Sequence, residues 1–148
     1  MSDTKTPAEA PPTAEAPPPP AGNPDVRALL ADIPGLNSDH GLAMVRGDLT
    51  RYQRILGLFV EGHAGDAERM NDALEASDIA ALEKIVHNLK SSAGNIGAGE
   101  VSELAAGALA AIRSGAKGGV INADCRAVIS ELTPLLDRIR SVLRPNGA

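Results

Sequence analysis

The chain has 148 residues, a formal net charge of −5, one cysteine and no tryptophan, and Tyr52 and Phe59 are its only tyrosine and phenylalanine. The acidic balance argues against nonspecific nucleic-acid binding, which needs a basic surface. A single cysteine excludes intramolecular disulfides and thiolate zinc clusters. We also expect no metal and no cofactor of the chain's own. No stretch has the length and apolarity of a membrane span or the form of a signal peptide, so we expect no membrane partner and a cytoplasmic location.

Residues 1–24 differ in composition from the rest of the chain. They contain eight of the eleven prolines and, after Met1, no large apolar residue. Such a segment buries too little surface to offset the entropy lost on ordering it. We predict a disordered tail or tether over residues 1–24 and one folded domain over residues 25–148. The tail is interpreted as a spacer, with a proline-motif ligand as the alternative.

Helical periodicity dominates residues 25–148, and no alternating pattern typical of strands is present. A short helix is predicted from about Asp25 to Asp32, before the turn signal Ile33-Pro34-Gly35. Ser38 begins a second short helix, which should end near Arg46-Gly47.

Four longer helices follow, each marked by apolar residues at steps of three and four. Asp48 is a plausible cap for the first, and Pro134 should kink or split the fourth. The predicted ranges are about residues 49–74, 79–96, 101–112 and 123–143. Because the links are short, the pattern predicts an all-α fold: an antiparallel up-down-up-down four-helix bundle with one or two short N-terminal helices.

His87 does not follow the apolar pattern of its helix. At about 100° per residue, the imidazole points roughly 130° away from the apolar stripe that runs from Ile79 to Ile96, and therefore toward solvent. Its neighbours on that flank are charged, polar or small. They are Ala80, Glu83, Lys84, Lys90, Ser91 and Gly94. Taken alone, such a position also fits a solvated histidine without a function.

The other two histidines carry less signal. His63 occupies a position on the apolar stripe of the first long helix, where a packing histidine is expected. His40 falls in or near a loop. No two histidines have the i,i+3 or i,i+4 spacing of ligands on a helix, so no metal site is predicted.

The segment from His87 to Ala98, His-Asn-Leu-Lys-Ser-Ser-Ala-Gly-Asn-Ile-Gly-Ala, closely resembles the signature of the histidine phosphotransfer (HPt) domain family of bacterial two-component phosphorelays. That signature reads His-x-Leu-Lys-Gly, followed by small residues and a Gly-Ala pair. The resemblance covers about Ile33 to Ile112, and the last helix by pattern only. Its other matching segments are Ile33-Pro34-Gly35-Leu36, Gly41-Leu42, Gly47-Asp48 and Tyr52 through Phe59.

Two departures from the family pattern bear on the site. Ser91 stands where the family has glycine, and serine is small enough to leave a partner room. The family also often has Gln or Glu on the next helix, facing the histidine, in the region where this chain has Ala108, Leu109 and Ala110. A polar contact to the histidine is therefore expected to be missing.

The resemblance implies a phosphorelay carrier rather than an enzyme. His87 would be the nucleophile that accepts a phosphoryl group from a receiver-domain aspartate and passes it to another, and Lys90 would stabilise the phosphoryl charge. Ala80, Ser91 and Gly94 would leave clearance for the docking partner.

The partners implied are response-regulator receiver domains, which would supply Mg²⁺, and a hybrid sensor histidine kinase. We expect a monomer. A noncatalytic helical adaptor that binds receivers or partner helices is the alternative; an autonomous kinase would need an ATP-binding domain, for which the chain has no room.

Overall fold

The structure, a computed structural model, describes residues 26–144, and all secondary-structure elements in that range are α-helices. They are α1 (Val26–Ala31), α2 (Ser38–Met44), α3 (Leu49–His63), α4 (Asp66–Ala76), α5 (Ile79–Ile96), α6 (Gly99–Arg113) and α7 (Gly118–Leu143). The all-α prediction is confirmed. The predicted tail over residues 1–24 lies outside the described residues. Between residues 26 and 144, none of the helices combines the length and the apolarity that crossing a membrane requires.

Side-chain caps define where three of the helices begin. Asn37, Asp48 and Asp78 each precede a helix, and each side-chain oxygen accepts a hydrogen bond of 3.0 or 3.1 Å from the backbone N–H three residues later. These bonds satisfy donors that have no partner within the helix. At the other end of α5, Gly97 adopts a left-handed conformation with φ of +90° and terminates the helix.

The helices enclose one apolar core. α5 packs against α6, and α6 against α7, while α3 and α4 each contact both α5 and α7 and so close the bundle. The short helices α1 and α2 cover one end, α1 against α7 and α2 against α5. Aliphatic side chains supply most of the core. Its fully buried members include Leu30, Leu56, Met70, Leu82, Leu89, Ile96, Leu132 and Ile139.

The C-terminal end of α5 is held from two sides. The hydroxyl of the buried Tyr52, on α3, donates a 2.7 Å hydrogen bond to the carbonyl of Ile96. The backbone N–H of Asn37 donates to the carbonyl of Gly97 at 2.7 Å. Burial raises the pKa of Tyr52 to about 12, so the phenol keeps its donor proton at neutral pH. These contacts fix the end of the helix that carries His87.

The single long helix predicted from residue 49 to about 74 is wrong, because the structure has two helices there. α3 ends at His63 and α4 begins at Asp66, with Ala64 and Gly65 between them. Apolar periodicity continues across the break, since Met70 still faces the core. The break coincides with polar contacts between side chains, which an apolar pattern does not encode.

The last helix starts earlier than predicted. α7 begins at Gly118 rather than near Ala123, because the N–H groups of a first turn lack helical partners anyway and glycine is tolerated there. Of the two effects predicted for Pro134, a kink or a split, the split does not occur, because α7 continues past the proline. Leu132, Leu135 and other buried residues around the proline pack into the core, which compensates for the lost hydrogen bond.

Candidate functional site

The outward face of α5 carries the candidate site. His87 is exposed there, and Ala80, Lys84 and Ser91 are exposed on the same line along the helix. The opposite face is buried through Leu82, Val86, Leu89, Ala93 and Ile96. The structure thus has the imidazole on the solvent side, where the periodicity predicted it. The phosphoryl-accepting role of His87 stays a prediction.

Two hydrogen bonds between α5 and α6 show which part of α6 lies beside His87. The hydroxyl of Ser102 donates to the backbone carbonyl of Lys90 at 2.9 Å. About two turns earlier on α5, a carboxylate oxygen of Glu83 accepts a 3.0 Å hydrogen bond from Nε of Arg113. Because Glu83 and Lys90 bracket His87 on α5, the stretch of α6 between Ser102 and Arg113 runs alongside the histidine.

Between Ser102 and Arg113, the two positions of α6 on the side toward His87 are alanines, whose side chains are single methyl groups. Ala106 is half-buried and Ala110 is exposed, at successive steps of four residues from Ser102. Ala108 and Leu109 belong to the core and do not face the histidine. The flank beside His87 is therefore low, and it leaves room above the ring.

The three residues predicted to leave clearance lie on the side of α5 that carries His87. Ala80 and Ser91 are exposed, and Gly94 is half-buried. A Cβ added at Gly94 would lie 3.4 Å from the hydroxyl oxygen of Ser102, a distance that a side chain tolerates. The clearance role of all three residues stays a prediction.

The two lysines near the histidine lie on opposite flanks. On a regular helix Lys90 is about 60° from His87 toward α6, and Lys84 is about 60° from it toward α4. Both side chains are exposed. Lys84 also lines a groove of about 450 Å³ between α4 and α5. The floor of this groove includes Ala73, Ala81 and Ile85, and its charged rim consists of Arg69, Asp72, Asp78 and Lys84.

A buried polar cluster lies at the break between α3 and α4. Nδ1 of His63 is 2.6 Å from one carboxylate oxygen of Asp66, and the guanidinium of Arg69 binds the other. The side chains of His63 and Asp66 are 11% and 6% exposed, whereas that of Arg69 is 57% exposed. The ring of His63 also contacts Phe59, with ring centroids 4.7 Å apart. His63 is thus a buried packing histidine, as predicted.

Sequence reasoning missed Asp66 and Arg69. Their signal was the repeated spacing of three residues, from His63 to Asp66 and from Asp66 to Arg69, which places all three on one side of a helical turn.

The remaining groups that carry metal or nucleophile chemistry form no second site. Among residues 26–144, no cluster of three or more His, Cys, Asp or Glu side chains is placed to hold a metal ion. Cys125 is buried, and burial, together with the charge of Asp124, raises the pKa of its thiol. A protonated buried thiol is a poor nucleophile.

Comparison with known proteins gives one match. The family model described as Hpt domain matches residues 54–142, which extend from α3 to α7 and include the whole segment around His87. The search of curated proteins and the search of solved structures gave no match.

Proposed function

The chain belongs to the Hpt domain family, and we propose that it is a phosphorelay carrier that takes a phosphoryl group from a receiver aspartate onto His87 and gives it to another receiver. Family membership implies phosphotransfer in two-component signalling; the residue and the direction of transfer are the proposal. The observation that supports it best is the exposed imidazole of His87, at the centre of the outward face of α5 and inside the matched range.

The transfer step needs one nucleophile on this chain. The unprotonated nitrogen of a neutral imidazole attacks the phosphorus of an aspartyl phosphate, a nitrogen–phosphorus bond forms, and the aspartate leaves as a carboxylate. Transfer to a second receiver reverses these steps. Imidazole suits both directions because it is substantially unprotonated near neutral pH and its phosphoramidate remains reactive.

The surroundings of His87 would assist by charge and by clearance. Phosphoryl transfer depends mainly on positioning and on stabilising the transferred charge. The ammonium of Lys90, one turn from His87, would partner the phosphoryl oxygens as a point charge. Ala80, Ser91 and Gly94, together with the low ridge of α6, would let a receiver approach the ring. The receiver would supply Mg²⁺ from its own acidic site.

The remaining features of the proposal follow from the family and from the sequence. The partners are receiver domains of response regulators and a hybrid sensor histidine kinase, and the carrier works as a monomer in the cytoplasm without a kinase activity of its own. The longer helices are arranged as an antiparallel up-down-up-down bundle, with α3 and α4 together in the place of the first helix. A noncatalytic adaptor is the alternative.

Phosphoryl acceptance by His87 is the decisive measurement. Incubation with a phosphorylated receiver should transfer acid-labile label to the wild-type chain, and His87→Gln should abolish it. Since an exposed side chain contributes little packing energy, the melting temperature should stay within about 1–2 °C of the wild type.

His40→Gln is the matched control, because His40 is also exposed, and His63→Gln should likewise retain acceptance. Labelling of the His87→Gln variant would refute the site assignment. A wild-type chain that binds receivers but never takes label would favour the adaptor.

A further inference from the structure

We propose that Arg69 is a specificity-determining residue for the exchange at His87: its guanidinium, held in place by the buried carboxylate of Asp66, binds a carboxylate of the receiver that docks over α5. This inference rests on the proposed function and identifies a second contact between carrier and receiver, on the α4 side of the histidine.

The first argument is that Asp66 holds Arg69 in a fixed position. A carboxylate that is only 6% exposed is costly to bury unless it is paired, and Asp66 has two partners. His63 fixes one oxygen from inside the bundle, and Arg69 binds the other from the surface. An exposed cation attached to a buried anion loses less conformational entropy on binding than a free side chain does.

The second argument comes from Gly65, in the break between α3 and α4. A Cβ at this position would lie 2.9 Å from Nη1 of Arg69, so the guanidinium rests against the glycine backbone. The backbone of Gly65 has φ of −98°, which any residue adopts. An alanine at position 65 would therefore leave the path of the chain unchanged and displace the flexible end of Arg69.

The third argument is where this cation lies. Arg69 and Lys84 line the same groove between α4 and α5, and Lys84 is one turn from His87. Since α4 and α5 are joined at Ser77-Asp78, residues equally far from this link lie side by side on the two helices. Arg69 is therefore about level with His87, whereas Lys84 and Asp72 lie nearer the link and Asp78 lies at it. The exposed cation of the groove that lies nearest the level of the histidine on α4 is thus Arg69.

These features define the chemistry of the partner. A planar guanidinium with several donors matches a carboxylate. Lys84 belongs both to this groove and to the flank of α5 beside His87, so a receiver whose phosphoryl site covers His87 also reaches the part of the groove that carries Arg69. An acidic side chain at the rim of that phosphoryl site is the group that we assign to Arg69.

Receiver binding and transfer kinetics test this assignment together. Arg69→Gln should raise both the Kd for a receiver and the KM of transfer by about tenfold at low salt, with kcat within about twofold, because the contact acts in docking. Gly65→Ala, which displaces the guanidinium but keeps its charge, should raise both by about threefold. The differences should shrink at high ionic strength.

Arg126→Gln is the matched control, since it removes an exposed arginine on α7 whose partner is Asn122, and melting temperatures report on folding in each variant. An Arg69→Gln variant that binds the receiver like Arg126→Gln would overturn the proposal, as would a loss confined to kcat. An unchanged Kd for Gly65→Ala would show that receiver binding does not depend on a fixed position of the Arg69 guanidinium. Absence of label on the wild-type chain would instead refute the proposed function, and the Kd values would still test Arg69.

Discussion

The residues around His87 divide according to the neighbouring helix that they face. Toward α6 the histidine has Lys90, whose backbone carbonyl is bound by Ser102, and the low alanine ridge. Toward α4 it has Lys84 and, across the groove, Arg69. The two sides of the histidine therefore differ. The alanines of α6 leave space above the ring, whereas α4 carries the positive charge of Arg69.

Substitutions of Lys90 separate positioning from charge. Because Lys90 is exposed, water and salt screen much of its charge, and Lys90→Ala should slow transfer by about tenfold without preventing it. Lys90→Arg should recover part of the rate, since the charge persists while the point geometry does not. Lys84→Ala should affect the rate constant less than Lys90→Ala does. The measurement is a time course of transfer from one receiver at fixed Mg²⁺.

Equal rates for Lys90→Ala and the wild type would reduce Lys90 to a solvated surface lysine. A complete block would show that it also fixes the docked pose of the receiver.

At the scale of the helices, apolar periodicity predicted what faces the core better than where a helix ends. It identified the segments that form α5 and α6 and the outward position of His87. It did not reveal the break between α3 and α4, because Asp66 is a polar residue at a buried position, and polar contacts across a turn leave no apolar signal. The rule that proline interrupts a helix allowed a split at Pro134, which does not occur because the packing of Leu132 and Leu135 outweighs one lost hydrogen bond.

The same substitution at two helical glycines should have opposite effects on stability. A Cβ at Gly41, in α2, would lie 2.4 Å from Cε1 of Tyr52 and 2.5 Å from the carbonyl oxygen of Ile96. Gly41→Ala should lower the free energy of unfolding by about 1–3 kcal/mol, because both groups are packed. Gly107, in α6, has nothing within 4 Å, so Gly107→Ala should raise that free energy by about 0.5–1 kcal/mol.

Urea titrations of both variants measure the two free energies. A Gly41→Ala variant as stable as the wild type would mean that α2 does not approach α5 as closely as described.

At the scale of the whole chain, composition set the proline-rich residues 1–24 apart from the rest, and helical periodicity with short links predicted a helical bundle. All secondary-structure elements within residues 26–144 are indeed helices. Neither composition nor periodicity identified the residues that would contact a partner. The site was predictable to the extent that the motif around His87 marks it. The cluster of His63, Asp66 and Arg69 depends on how two helices meet, which neither composition nor motif specifies.

Truncation at the N-terminus tests the domain boundary. Deleting residues 1–24 should not lower the melting temperature measurably, since that segment has almost nothing apolar to bury. Deleting residues 1–30 should lower it clearly, because Val26 and Leu30 are buried in the core. Thermal melts of both truncated chains provide the comparison. A clear loss of stability in the shorter deletion would place the boundary before residue 25.

The outward position of His87 also has a kinetic consequence. A phosphoryl group on that ring projects away from the core, so adding it neither creates nor removes a packing contact within the bundle. On the proposed function, the two occupancy states of the carrier then share one shape, and packing contributes no bias toward loading or unloading, which leaves the charge of Lys90 as the chain's own contribution. Net flux through the relay would follow the ratio of phosphorylated to unphosphorylated receivers on each side. Such a carrier would equalise the phosphorylation potential of the receivers it connects, and would discriminate among them only by how well each one docks.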